Sequence, residues 1–148
     1  MITLKVPNTA KRLLQTFLTV SFISGCLFFI LNTWVMVDGE FGPEKHPAQF
    51  MSLKIHGISA FGLMILYGAF LGAHAFLGWR TKKSRNTGIG LTTVIGLQVI
   101  TAYLLYYVAS DLYREIAMWL HLGVGLSIPL WLTLHIRAAQ KRKRPQSA

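Results

Sequence analysis

Charge is scarce in this chain, and acid is scarcer still. Asp, Glu, Lys and Arg make up 14% of the 148 residues, and only five residues are acidic. A soluble globular domain carries about 25% charged residues. Four windows, 13–37, 55–79, 86–110 and 116–136, contain no charged side chain. They are 25, 25, 25 and 21 residues long, and a bilayer-crossing helix needs about 20. A soluble enzyme is excluded. There is one cysteine, Cys26, so a scaffold held by internal disulfides is excluded too. Lying within an apolar window, that thiol reads as a small packing residue. The hydrophobic content of 53% excludes a disordered tail.

The charges that are present sort by sign. Asp38, Glu40 and Glu44 follow the first window, and Asp111 and Glu115 follow the third. Twelve of the fifteen cations lie elsewhere: Lys5, Lys11 and Arg12 before the first window, Arg80, Lys82, Lys83 and Arg85 after the second, and Arg137, Lys141, Arg142, Lys143 and Arg144 at the end. The positive-inside rule then places both termini and the 80–86 loop in the cytoplasm. The net charge of +10 is therefore a topology signal. Its natural partner is the lipid bilayer and its anionic headgroups, and no nucleic acid is expected. The first window exceeds the 7–15 residues of a signal-peptide core and lacks a small-residue cleavage pattern after it, so it reads as an uncleaved signal-anchor helix.

These observations predict an all-α fold, an integral membrane four-helix up-down-up-down bundle. Residues 1–148 form a single membrane domain with a basic tail at 137–148. In hydrocarbon the backbone must satisfy its own hydrogen bonds, so each span is a helix. The expected connections are 38–54, 80–85 and 111–115. Gly39, Gly42, Pro43 and Pro47 predict turns in the first of them, and Pro129 predicts a kink in the last span. The spans are rich in glycine. That residue either lets helices approach closely or leaves room for a flat prosthetic group, and both readings stay open.

Five histidines occur: His46, His56, His74, His121 and His135. His46 belongs to a polar loop. The other four fall in the second and fourth windows, and an ionisable residue inside a membrane is a functional hypothesis by default. His56 and His74 are 18 residues apart, which is 1800° or five full turns at 100° per residue, so they share a face. His121 and His135 are 14 apart, which falls 40° short of four turns, so they share a face as well. The second and fourth helices run parallel in an up-down-up-down layout. His56 then matches His121 near the outside, and His74 matches His135 near the inside. Any one of these residues would equally suit a hydrogen-bonded packing role between helices. Four of them in phase on two parallel helices suggest paired axial ligands for two haem irons, with His56/His121 and His74/His135 as the pairs. Lys54 and Arg114 at the outer end, and Arg80 and Arg137 at the inner end, are candidate partners for haem propionates. No C-x-x-C-H motif occurs, so covalent c-type attachment is not expected. The two pairs lie too far apart for one zinc ion, and no span contains a carboxylate.

With the H-x13-H of His121 and His135 and the pair His56 and His74 in view, the chain resembles the bacterial di-haem membrane cytochrome b group, the four-helix b-type subunits of membrane redox complexes. The resemblance spans the four-helix chain but rests on four residues and a topology. The 18-residue spacing in the second helix departs from the pattern of the quinol–cytochrome c branch. The resemblance implies two non-covalent, bis-histidine b-type haems and a bacterial inner-membrane location. It implies an electron-carrying subunit, not a complete enzyme, in a larger redox complex linked to quinol or quinone or to a c-type cytochrome on the outer side. Tyr103, Tyr106, Tyr107 and Trp119 read as interface anchors, and Asn32 and Gln98 as inter-helix hydrogen-bonding residues. Two other classes remain: a small histidine-dependent transporter or proton relay, and a cofactor-free membrane anchor.

Overall fold

A computed structural model describes residues 7–75 and 85–141, apart from the side chains of Ala73 and His74. The described elements are α1 (Asn8–Thr33), β1 (Met36–Gly39), β2 (Gly42–Lys45), α2 (Ala48–Phe70) continuing into a π turn (Leu71–Ala75), α3 (Arg85–Tyr107) and α4 (Asp111–Lys141). The protein is all-α in architecture, with one small β-hairpin among the described residues. All four helices are long and apolar enough to cross a membrane, with best-window mean hydropathies of 2.0, 1.4, 1.7 and 1.5 in chain order.

The chain divides into two compact units, Met1–His74 and Ala75–Ala148, each described by itself. In the first, α1 packs on α2. In the second, α3 packs on α4. Burial runs opposite to that of a water-soluble protein. Among the described residues the shielded positions are mostly small hydroxyl side chains: Ser21, Ser24, Ser52, Ser59 and Thr101, joined by Ala117 and Leu31. Large apolar side chains such as Ile58, Phe61, Ile65, Ile100 and Leu130 are exposed. Lipid gives apolar side chains no reason to hide, so helix contacts are left to small and hydrogen-bonding residues. That distribution, with the four apolar helices, marks an integral membrane protein.

Helix ends differ from the charge-free windows. α1 starts at Asn8, because Lys11 and Arg12 are good helix formers that extend the rod beyond its apolar stretch. α4 runs from Asp111 to Lys141, so Asp111 and Glu115 lie in its first turns and the true connection is the short 108–110 segment. Asp111 at the start and Lys141 at the end both complement the helix dipole. Pro129 lies inside this helix, which continues past it. Proline removes the N–H that would bond the Gly125 carbonyl one turn back, and Thr133 Oγ1 donates to the Pro129 carbonyl at 2.7 Å.

The long first connection is half hairpin and half helix. β1 and β2 pair antiparallel, Met36 with Lys45 and Gly39 with Gly42. The loop between them is Glu40-Phe41, and Gly42 has φ +121°, a conformation that favours glycine. Phe41 is 92% exposed at the tip. At the base, the Lys45 ammonium donates to the Asn32 carbonyl, one of the four that the end of α1 leaves unpaired. Gln49 Nε2 donates to Asn32 Oδ1 at 2.9 Å, tying α1 to the first turn of α2. His46 has a defined role as well, for its Nδ1 accepts the Ala48 N–H at 3.1 Å and fixes the entry to α2.

Candidate functional site

The three intramembrane histidines with described side chains all address the helix that precedes their own. In the first unit, Ser21 and Gly25 stand one turn apart on α1 and so share a face. His56 of α2 lies against that face. Its Nδ1 is 2.8 Å from the Ser21 carbonyl oxygen and 3.4 Å from Ser21 Oγ. A carbonyl only accepts, so Nδ1 carries the proton and the ring lone pair sits on Nε2. Gly25 makes this seat possible, since a Cβ there would come within 2.9 Å of His56 Cε1 and Nδ1.

In the second unit His121 of α4 meets Gln98 and Thr101 of α3. Its Nδ1 is 3.0 Å from Thr101 Oγ1. That hydroxyl lies 2.9 Å from the Leu97 carbonyl and 3.1 Å from the Gln98 carbonyl. Its one proton is directed to those acceptors, so its oxygen accepts from His121 Nδ1–H. Nε2 then bears the lone pair and accepts from Gln98 Nε2 at 3.0 Å. The other end of that amide, Gln98 Oε1, is buried without a hydrogen-bond partner among the described residues. Such an orphan costs about 1–3 kcal/mol. Gly125, one turn beyond His121, leaves the space the amide fills, for a Cβ there would lie 2.9 Å from Gln98 Nε2.

Nearer the far end of α4, His135 Nδ1 is 3.2 Å from Thr87 Oγ1. Gly88 adjoins the ring at an ordinary contact distance, for a Cβ there would lie 3.5 Å from His135 Cε1. Between the two histidines the Trp131 ring covers Gly90 so closely that any Cβ would overlap it. The contacts of Gln98 with His121, Gly90 with Trp131 and Thr87 with His135 fix the antiparallel register of α3 and α4. Contacts of Phe17 with Gly62 and Asn32 with Gln49 do the same for α1 and α2.

His74 lies in the π turn Leu71–Ala75, with its side chain outside the described residues. An i→i+5 turn takes more residues per turn than an α-helix. The α-helical count of five turns from His56 therefore overstates the phase at His74. Of the four cations matched to propionates, Arg114 pairs with Asp111 at 3.1 Å, Lys54 sits 4.2 Å from the centre of the Phe50 ring, Arg137 is exposed, and Arg80 lies outside the described residues. Tyr103 and Tyr107 stack with centroids 4.4 Å apart. Comparison of the chain with family models, with curated proteins and with solved structures returns no match.

Among the described residues no three His, Cys, Asp or Glu side chains gather as a self-contained metal site. The site chemistry is that of single, oriented imidazoles. A metal-ligating histidine commonly gives its other ring nitrogen to a carbonyl or similar oxygen, which fixes tautomer and ring direction. His56 meets that condition fully. His135 Nδ1 meets the Thr87 hydroxyl, which can donate as well as accept, so this contact orients the ring without fixing its tautomer. His121 meets it through Thr101, but its second nitrogen is engaged by Gln98. Sequence reasoning identified the histidines and the inter-helix roles of Asn32 and Gln98. It missed Ser21, Thr87 and Thr101, whose only signal is a small polar residue on an otherwise apolar face.

Proposed function

We propose that the protein is a di-haem b-type membrane cytochrome, an electron-transfer subunit of a larger redox complex. One observation carries the reading: each of the three described intramembrane histidines commits Nδ1 to an oxygen of the preceding helix. At His56 and His121 the oxygen is an acceptor, which puts the proton on Nδ1 and leaves Nε2 as the nitrogen able to ligate, and at His135 the Thr87 hydroxyl contacts the same ring nitrogen. The proposed axial ligands are His56, His74, His121 and His135. Arg80, Lys54, Arg114 and Arg137 serve as counter-ions for propionates, Lys54 and Arg114 after leaving Phe50 and Asp111.

Bound haem would supply reversible one-electron storage on iron. The chain's own part is to orient the imidazoles, to surround them with small residues and to keep water out of the spans. The hydroxyls that meet these rings, Ser21, Thr87 and Thr101, are assigned to holding the imidazoles, and bond-making chemistry is assigned to a partner. Quinol or quinone and a c-type cytochrome on the outer side are the carriers proposed. Cation placement supports cytoplasmic termini, and the bacterial inner membrane is the location the resemblance implies.

The bond from Gln98 to His121 Nε2 favours a second reading for that residue, structural packing in a cofactor-free anchor. The visible spectrum of protein purified from haem-replete cells separates the two. The proposal expects a Soret band, a b-type α band after dithionite and about two haems per chain. Replacing His74 with alanine should remove one haem and spare much of the other. A colourless preparation rejects the haem reading.

A further inference from the structure

We infer that Gln98 is a latch on the His121 ligand site: its amide N–H occupies the nitrogen that would bind iron, and it must swing away before ligation. The inference rests on the haem reading and deepens it. Three features support it. The polarity is fixed by chemistry, because the Thr101 hydroxyl is committed to backbone carbonyls and must accept from Nδ1–H. His121 therefore presents an acceptor at Nε2, and Gln98 answers it with a donor. The latch is also poorly satisfied in the closed position, for Gln98 Oε1 is buried with no partner among the described residues. A glutamine kept for packing alone would be expected to pair both ends of its amide. Finally, the amide rests directly over Gly125, so the position it holds beside His121 exists only because that residue has no side chain.

Ligation at His121 thus competes with one internal hydrogen bond, and the competition is reversible because the departing amide gains the chance to satisfy its oxygen. The His121 site should load more weakly than an unlatched site would, and chains short of haem should be depleted there first. Gln98 touches the ligand nitrogen and not the reacting metal, so it is a positioning residue.

The test is a titration of the full-length chain, purified without haem in detergent, with ferric protoporphyrin followed at the Soret band. Gln98→Met keeps length and removes both hydrogen-bonding ends. It should tighten one of two sites by about tenfold, the equivalent of one hydrogen bond. A merely structural role for Gln98 would weaken binding. The tightened site should vanish when His121→Ala is added. Equal or weaker binding in Gln98→Met, with two sites filled in the wild type, overturns the latch and leaves the haem reading intact. No uptake by the folded wild type overturns both. Nitrogen-15 spectra of the histidines give a check that does not depend on the variant folding. His121 in the haem-free wild type should carry its proton on Nδ1 and show a hydrogen-bonded, unprotonated Nε2, whereas a proton on Nε2 overturns the latch.

Discussion

The anchoring oxygens of the three histidines differ in kind, and substitution should respond accordingly. At His56 the shorter contact is to the Ser21 backbone carbonyl, which no side-chain change removes. Ser21→Ala keeps that acceptor and should therefore lower haem content less than loss of a side-chain acceptor does. Thr101 is the side-chain acceptor for His121, so Thr101→Val strands a ring N–H and should weaken haem binding at that site by about 10–100-fold. Haem titration of the two variants side by side checks this, and equal effects would refute the distinction. Glycines beside histidines can be ranked in the same way. Gly25→Ala drives a methyl into the His56 ring, at 2.9 Å. It should cost about 1–3 kcal/mol in detergent unfolding and lower haem content. Gly88→Ala meets His135 at 3.5 Å and should do neither. The histidines stand out in the sequence because ionisable residues are rare in spans. Their serine and threonine partners do not, since a hydroxyl on a helix face looks the same whether it bonds its own backbone or a ring on the next helix.

Each helix pair is held by small residues set against large ones. Gly62 of α2 accepts the Phe17 ring of α1, and Gly90 of α3 accepts Trp131 of α4, whereas Gly57, Gly68, Gly96 and Gly123 have nothing near a Cβ position. Gly90→Ala should therefore displace Trp131 and destabilise the α3–α4 pair by about 1–3 kcal/mol. Gly123→Ala should be neutral or stabilise by up to about 1 kcal/mol through helix propensity. Thermal unfolding of both variants in one detergent tests the contrast, and a tolerated Gly90→Ala would show that α3 and α4 do not need this contact. The number and approximate position of the helices were readable from the lack of charge, because hydrocarbon penalises charge so steeply. Their ends were not, because Lys11, Arg12, Asp111 and Glu115 extend helices into the region where charge is tolerated. The β-hairpin announced its turn through Gly39 and Gly42, but its four-residue strands are too short to carry a period.

For the whole molecule the cation distribution yields a sidedness that labelling can test. The tip residue Phe41 is exposed and lies in the acidic connection, while Gln140 lies beside the basic tail. In a chain carrying Cys26→Ser, a cysteine placed at Phe41 should react with a membrane-impermeant maleimide in intact spheroplasts. One placed at Gln140 should react only after permeabilisation. The reverse pattern would invert the assignment from positive charge, and with it the side on which a c-type partner is sought.

Asn32 has a mechanical consequence. Its main-chain oxygen holds Lys45 and its side-chain oxygen holds Gln49, so a single residue clasps the foot of the hairpin and the head of the next rod. The clasp closes one end of the same α1–α2 seam that seats the His56 ring further along.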